Sequence, residues 1–359
     1  MNDSDYIIQC FKLAEKGKGI VSPNPLVGSV IVKKGKVVGK GYHKRFGGDH
    51  AEVKAIKNSK VQIDGSTLYC NLEPCCHHKK QTPPCVPLII QKKIKRVVIS
   101  NLDPNKEVNG KGIKQLRDAG IEVITGVLEN EGKKLNKFYF KIIQEKLPFI
   151  TLKIAQSIDG KISSSKNKQT WLTGTESKKF VHQLRAEYDA VLVGAGTVRS
   201  DNPLLTVRAV KGRNPIKIIV DGKLSAPIES KIFNCSQTEK TWMFTSSKSD
   251  IRKRKMLASK GVKIFTLLPS KKNSLNIKSI LKILAESKIT SVLVEGGSEI
   301  FNQFVKQKLY DEIIILQAPL ILGKGVNGVN LDSLKNLKLL SKDKLDNDIR
   351  FIYKAKLSN

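Results

Sequence analysis

EPCCHHKKQTPPC, residues 73–85, holds three of the chain's six cysteines and two of its five histidines. A disulfide staple, a metal site and chance are the candidate readings of such a cluster. Residues 1–20 carry acids early and have no long apolar run, so they do not read as a secretory signal. No stretch approaches the ~18 uncharged apolar residues of a transmembrane helix. The expectation is a cytoplasmic protein, where disulfides are rare and clustered cysteines more often bind metal. Metal is therefore the favoured reading.

Zinc catalysis needs about three protein ligands and an open fourth position for water. Cys75 and Cys85 can supply two thiolates. Each follows a proline, at or near an expected helix start that favours the thiolate form. A nitrogen ligand and a proton carrier are still needed, and GGDHAEVKAI, residues 47–56, offers both. His50 can ligate through a neutral ring nitrogen. Glu52, two residues on, can face the open position without ligating and carry a proton to a departing amine. Other arrangements stay open. Cys76 could replace one thiolate, and a closed structural knuckle could take a fourth ligand from Cys70, Cys76 or His77. Such a knuckle leaves Glu52 unexplained. His77 and His78 read better as pocket or loop residues, and Cys10 and Cys235 as ordinary buried cysteines. Asn24 in the PNP of residues 23–25 either orients a substrate or makes a turn.

The length of 359 residues suits about two domains. Helical spacing of Ile8, Phe11, Leu13 and Ala14 marks residues 5–16. LVGSVIVKKGKVVGKGYH (26–43) reads as a hairpin, HAEVKAIKNS (50–59) as a helix opening at His50, and STLYCNLEPC (66–75) as a buried strand. A helix after the prolines at 83–84, strand 96–100, helix 112–120 and strand 121–127 continue the alternation, which implies an α/β layered sheet. A boundary falls near IIQEKLPFI (142–150), giving domains 1–145 and 146–359. The second half repeats the alternation, with strands expected at 149–157, 189–197, 216–222, 241–246, 261–267, 291–297 and 312–322.

The net charge of +32, from 64 basic and 32 acidic residues, invites a nucleic-acid reading. Against it, aromatics are only 6% and no basic block interleaves with stacking rings. The blander reading, a lysine-rich solvated surface, is preferred. A basic field still attracts phosphorylated small molecules. Two glycine-containing strand exits, VLVGAGTVRSDNP (191–203) and VLVEGGSEIF (292–301), would let a ligand approach the backbone at a helix start. Neither is the G-x-G-x-x-G dinucleotide fingerprint, and each alone is a weak signal.

H-x-E followed by P-C-x-x-C marks the zinc nucleobase deaminases. Here the second cysteine lies ten positions after Cys75 instead of three. With SPNPLVGSVIV and GYHKRFGGDHAE upstream, HAE…EPC-x-HH…TPPC resembles the deaminase half of the bifunctional riboflavin-biosynthesis deaminase/reductase family. LKIAQSIDGKI, TWLTG, LRAEYDAVLVGAGTV, DNPLLTVR and VLVEGGSEIF resemble its reductase half. The resemblance runs from about residue 5 to 325, and the last thirty residues carry little signal.

This resemblance implies an α/β protein: an N-terminal cytidine-deaminase-like three-layer domain and a C-terminal dihydrofolate-reductase-like domain. It makes His50, Cys75 and Cys85 the zinc ligands and Glu52 the proton shuttle. It places NADPH near Ala155, Trp171, Thr197, Asp201, Gly296, Gly297 and Ser298. It gives Gln169, Arg185, Leu205, Arg208 and Glu295 to the substrate. Arg185 and Arg208 would grip a phosphate, and Trp171 would wall the nicotinamide. Without the resemblance, Trp171 would read as packing and Arg208 as a surface residue. Lys153 and Asp159 lie on the same signature strand and turn, with less definite roles. The family pattern is broken in four places: the 77–85 loop is one residue longer, Cys76 stands for Ser, Asn202 for Asp and Gly222 for Ser. The implied partner is a phosphorylated pyrimidine, with no nucleic acid, no membrane, and homo-oligomers through the reductase domain. The rival readings are a nucleic-acid deaminase and a non-catalytic zinc-stabilised binding module.

Overall fold

The expected hairpin is present, and it forms one end of the five-stranded sheet of the first unit. The structure, a computed structural model, describes residues 1–77, 82–165, 170–269, 274–328 and 337–355. Gln169 and His78 lie outside the described residues. The chain divides into two units, Met1–Lys146 and Leu147–Asn359.

The first unit runs α1 (Asp3–Glu15), β1 (Gly28–Lys33), β2 (Lys36–Tyr42), α2 (Ala51–Lys57), β3 (Thr67–Leu72), α3 (Cys85–Gln91), β4 (Arg96–Asn101), α4 (Lys111–Asp118), β5 (Glu122–Thr125), α5 (Glu129–Leu135) and α6 (Lys137–Glu145). Its sheet has the order β2-β1-β3-β4-β5, with β1 antiparallel to both neighbours and β3, β4 and β5 parallel. Successive strand residues point to opposite faces, and both faces are covered. Val30, Tyr69 and Val98 meet Tyr6, Ile7 and Cys10 of α1. Ile31, Leu68, Cys70, Val97 and Ile99 meet Ala55, Val86, Ile89 and Leu116 of α2, α3 and α4. Two buried faces explain why β3 and β4 read as continuous apolar runs.

The glycines of GKGY set how closely α2 approaches the sheet. A Cβ on Gly41 would run into the Ala51 carbonyl and the Ala55 amide of α2, and one on Gly39 into the Ala55 carbonyl. Those are backbone atoms and cannot swing aside. His50 caps this helix, so the glycines also set the position of His50.

The second unit runs β6 (Phe149–Gln156), β7 (Lys161–Ser163), α7 (Thr175–Glu187), β8 (Ala190–Gly194), α8 (Ala195–Asp201), β9 (Ile216–Val220), β10 (Thr241–Ser246), α9 (Ile251–Ser259), β11 (Lys263–Leu267), α10 (Ile277–Glu286), β12 (Ser291–Gly296), α11 (Ser298–Lys306), β13 (Glu312–Gln317), β14 (Val326–Asn327), β15 (Leu337–Leu345) and β16 (Asp348–Ala355). The large sheet has the order β11-β10-β9-β8-β12-β6-β13-β16-β15, parallel as far as β13 and antiparallel beyond it. Ile150, Leu152, Leu192, Ile218, Phe244 and Val294 form its core with α10 and α11. The strand expected over 312–322 stops at Gln317. Pro319 follows, and its missing N–H cannot continue a ladder. The basic cluster KSDIRKRK lies at the start of α9, where only Leu257 is buried. Its charges therefore coat a solvated face.

Among the described residues, no helix is long and apolar enough to cross a membrane. Gly41→Ala is expected to lower the stability of the first unit by about 1–3 kcal/mol, the range for overpacking. Chemical denaturation followed on that unit checks it, and an unchanged midpoint would contradict the close-approach argument.

Candidate functional site

In the first unit, three chain segments converge. His50 precedes α2, Cys75 follows β3 and Cys85 opens α3. One ligand atom from each lies within 4.8 Å of the others. His50 Nδ1 stands 3.3 Å from Cys75 Sγ and 3.4 Å from Cys85 Sγ. Tetrahedral zinc, at ~2.0–2.1 Å from nitrogen and ~2.3 Å from sulfur, puts such pairs about 3.6 Å apart. The donor set and its spacing therefore fit zinc. Among the described residues the cluster contains neither Cys70, Cys76 nor His77. Cys76 Sγ instead points toward the Glu107 carbonyl at 3.7 Å.

His50 Nε2 lies 3.0 Å from Thr82 Oγ1. With Nδ1 offered as a ligand lone pair, Nε2 carries the proton and donates it to Thr82, which fixes tautomer and ring orientation. Thr82 lies in the loop that delivers Cys85, so one segment sets two ligands. The other cysteine is braced by a buried carboxylate. Glu73 accepts from the amides of Asp103 (3.3 Å), Gly110 (3.0 Å) and Ile113 (3.3 Å). It thereby ties the end of β3 to the start of α4. Asp103 in turn accepts from Tyr139 Oη at 2.9 Å, and burial raises its carboxyl to about 6.

Glu52 is buried in the first turn of α2. Burial pushes the Cys70 thiol up and the Glu52 charge adds to it, placing the carboxylate near β3. His43 is buried between two partners: Nδ1 lies 3.1 Å from the Asp49 carbonyl and Nε2 3.0 Å from Asn24 Nδ2. A carbonyl can only accept, so Nδ1 carries the proton and Nε2 accepts from Asn24. Burial lowers the His43 pKa and keeps the ring neutral. Its ring meets His50 edge-on, with centroids 5.6 Å apart. Asn24 makes the turn that was one of its two readings, its amide donating to the Val21 carbonyl, and its side chain holds His43. Sequence reasoning missed His43, Thr82 and Glu73, because nothing in their spacing reports a contact across the fold.

The second unit holds a cavity of about 1060 Å³ beside the carboxyl ends of β6, β8, β9 and β12. Ala155 and Glu295 line it from β6 and β12, and Thr197 and Asp201 from α8. Gly296, Gly297 and Ser298 form the β12–α11 turn. A Cβ on either glycine would press on Thr197 Oγ1, at 3.0 and 3.2 Å. The bare backbone leaves that turn open to a diphosphate, and the cavity is large enough for a dinucleotide. The residues present therefore fit NADPH. Trp171 is 70% exposed at the cavity wall, which excludes core packing, and Lys178 Nζ lies 4.6 Å from its ring centre. Leu205 is buried with φ of +52°, a strained conformation for a bulky residue.

Glu295 is the electrostatic centre of this cavity. Arg185 grips it with two bonds, Nε–Oε1 at 2.6 Å and Nη2–Oε2 at 2.8 Å, and Lys153 Nζ stands 3.5 Å away. Burial alone would raise the carboxyl, but Arg185 and Lys153 hold it down at about 2. Arg185 is the residue expected at a phosphate. Its fork is committed to Glu295, and Nη1 donates to the Thr206 carbonyl. Arg208, by contrast, has an exposed side chain at the cavity, and its amide donates to His182 Nδ1 at 3.1 Å. His182, also unforeseen, lines the same wall.

Two of the departures, Asn202 and Gly222, have hydrogen-bonding partners of their own. Asn202 ends α8 in a left-handed conformation that Asn tolerates, and its Oδ1 accepts from the Lys231 amide at 2.7 Å. Gly222 lines the cavity and its carbonyl accepts from the Ser246 amide. Asp159 accepts from the Leu322 and Gly323 amides, so it fastens a turn.

Both units match known protein families. Residues 1–101 match the family described as the cytidine and deoxycytidylate deaminase zinc-binding region, and residues 148–351 the RibD C-terminal domain. The chain is 42% identical over 348 residues to the riboflavin biosynthesis protein RibD of Aquifex aeolicus, covering 96% of this chain and 95% of that one. The chain belongs to the RibD family. The RibD of Bacillus amyloliquefaciens is 41% identical over 340 residues, covering 92% of this chain and 90% of that one. Two solved structures each match across 99% of both chains. Acinetobacter baumannii RibD does so with a TM-score of 0.90 and 32% identity. A Thermotoga maritima diaminohydroxyphosphoribosylaminopyrimidine deaminase/5-amino-6-(5-phosphoribosylamino)uracil reductase does so with 0.87 and 36%. As a RibD-family member the chain is a bifunctional riboflavin-biosynthesis enzyme, with a zinc-dependent deaminase domain and a dihydrofolate-reductase-like, NADPH-dependent reductase domain.

Thr82→Val removes the acceptor for His50 while keeping the shape of the side chain. Zinc affinity should fall by about 10–100-fold, the usual cost of losing a ligand's orienting bond. Competition against a chromophoric chelator reads it directly, and unchanged affinity would refute the orienting role.

Proposed function

We propose that the first domain, residues 1–145, hydrolytically deaminates 2,5-diamino-6-(5-phosphoribosylamino)pyrimidin-4-one. The second, residues 146–359, then reduces the ribosyl side chain of the product to ribityl. The observation that carries the reading is the grouping of His50, Cys75 and Cys85 within 4.8 Å, with Glu52 buried one residue into the helix that His50 caps.

His50, Cys75 and Cys85 would hold the zinc, which supplies a water of lowered pKa. Glu52 takes a proton from the attacking water and delivers it to the departing amine, so ammonia leaves neutral. Thr82 keeps His50 in the ligating tautomer. Asn24, held by His43, is placed to orient the pyrimidine.

NADPH supplies the hydride for the second step. Gly296, Gly297, Ser298 and Thr197 bind its diphosphate, and Ala155, Trp171 and Asp201 enclose the rest. Glu295, kept ionised by Arg185 and Lys153, gives the sugar hydroxyls a fixed acceptor. Leu205 walls the substrate, and Gln169 is a further substrate contact. The exposed Arg208 takes the phosphate, and Arg185 acts by orienting Glu295. Homo-oligomers form through the reductase domain, where the edge strand β15 leaves Leu339 and Leu340 half exposed. Light scattering should then report a mass above one chain, and a strictly monomeric mass would rule this out.

Glu52→Gln tests the division of labour. Ammonia release should fall by roughly 10²–10⁴-fold, the usual contribution of a general acid–base. Zinc content and NADPH-dependent reduction of the already deaminated substrate should persist. Full deaminase activity in the variant would overturn the role of Glu52.

A further inference from the structure

Cys235 is not the ordinary buried cysteine expected from sequence. It is part-exposed, between the short helical turns Lys231–Phe233 and Thr238–Lys240. Its Sγ lies 2.9 Å from Nζ of Lys217. Lys217 sits within β9, where Ile218 and Val220 face the main core and Lys217 points to the opposite side. This lysine is only 2% exposed. Among the described residues no carboxylate reaches its amine, and the Cys235 sulfur is its hydrogen-bonding partner. Sulfur is a weak acceptor, and burying an amine against so poor a partner is costly. The arrangement thus joins a part-exposed cysteine to a shielded amine already at contact distance.

We propose that Lys217 and Cys235 are an oxidant-sensitive pair that closes to a covalent sulfenamide when the protein meets hydrogen peroxide. In the first step the Cys235 sulfur attacks peroxide. The O–O bond breaks, sulfur is oxidised to the sulfenic acid, peroxide is reduced, and one water leaves. In the second step the Lys217 nitrogen, in its neutral form, attacks that sulfur. The S–N bond forms, the S–O bond breaks, and the hydroxyl departs as a second water with a proton from nitrogen. The sum is thiol, amine and one peroxide giving sulfenamide and two waters. Condensation of a sulfenic acid with a nearby backbone nitrogen is the established form of this chemistry. A thiol reductant reverses it, returning the free thiol and amine. The link pins the 231–240 segment to β9 and protects Cys235 from irreversible oxidation.

Among the other cysteines, Cys10 and Cys70 are sealed in the core, and Cys75 and Cys85 belong to the zinc cluster. Neither half-reaction uses Cys235, so the pair stands apart from both active sites. The test treats the zinc-loaded full chain with dilute hydrogen peroxide, removes the excess with catalase, alkylates remaining thiols and maps peptides by mass spectrometry. The expected product joins the Lys217 and Cys235 peptides, is two hydrogens lighter than their sum, and is split by dithiothreitol. Lys217→Met keeps the stem and removes the amine. It should abolish the joined product and leave Cys235 open to dimedone, which traps sulfenic acids. Wild-type protein whose Cys235 is trapped by dimedone with no joined peptide would overturn the proposal. So would a Cys235 that stays a free thiol under peroxide.

Discussion

Parallel strand pairing is the constraint on which both active centres depend. Parallel neighbours cannot be joined by tight turns, so each connection crosses back, here largely as helices, and strand carboxyl ends gather with helix starts on one edge. Ligands bind at that edge in open α/β sheets. In the deaminase domain it collects Glu73 and Cys75 after β3 and Asp103 after β4, with α3 returning Cys85 beside them. In the reductase domain it collects the Gly194–Thr197 and Gly296–Ser298 turns and Glu295. Two unrelated chemistries thus use the same architectural edge. In the first sheet only β1 runs against the others, so the carboxyl end of β2 leads to His43 and His50 on that same edge; in the second, β16 is the strand that runs against its neighbours.

Each centre also carries a buried carboxylate, and the two are held differently. Glu73 is met by three backbone amides and serves as a structural tie. Glu295 is met by two cations, which hold its pKa at about 2 against the 4.5 of the free side chain. A depressed carboxyl stabilises the fold above its unfolded pKa and loses that contribution as pH falls through the folded value. For Glu295 that window lies between about 4.5 and 2, so at neutral pH the carboxylate is a permanent charge. The bidentate Arg185 grip fixes its direction as well as its ionisation.

Much of this was legible in the sequence. Residue types with strict chemical demands were informative: a lone H-x-E, two proline-preceded cysteines and paired glycines after strands. Alternation of buried strands and amphipathic helices gave most of the layer order. What escaped was partnership across the fold. The Thr82–His50, Asn24–His43 and Arg185–Glu295 contacts span 32, 19 and 110 positions, and no local pattern reports them. The β15–β16 hairpin escaped for another reason. Lys338, Lys342 and Lys344 interrupt its apolar alternation on an exposed sheet edge, where burial does not enforce a pattern. Cys235 was misjudged because a cysteine's burial depends on loop placement, which composition does not encode.

The central claim is that one chain performs both steps in the order deamination, then reduction. The direct measurement gives the zinc-loaded protein 2,5-diamino-6-(5-phosphoribosylamino)pyrimidin-4-one and NADPH, following ammonia and NADPH absorbance together. The account predicts that ammonia appears first, after which NADPH is consumed mole for mole. NADPH consumption that precedes ammonia, or that proceeds unchanged after zinc is stripped, would contradict it.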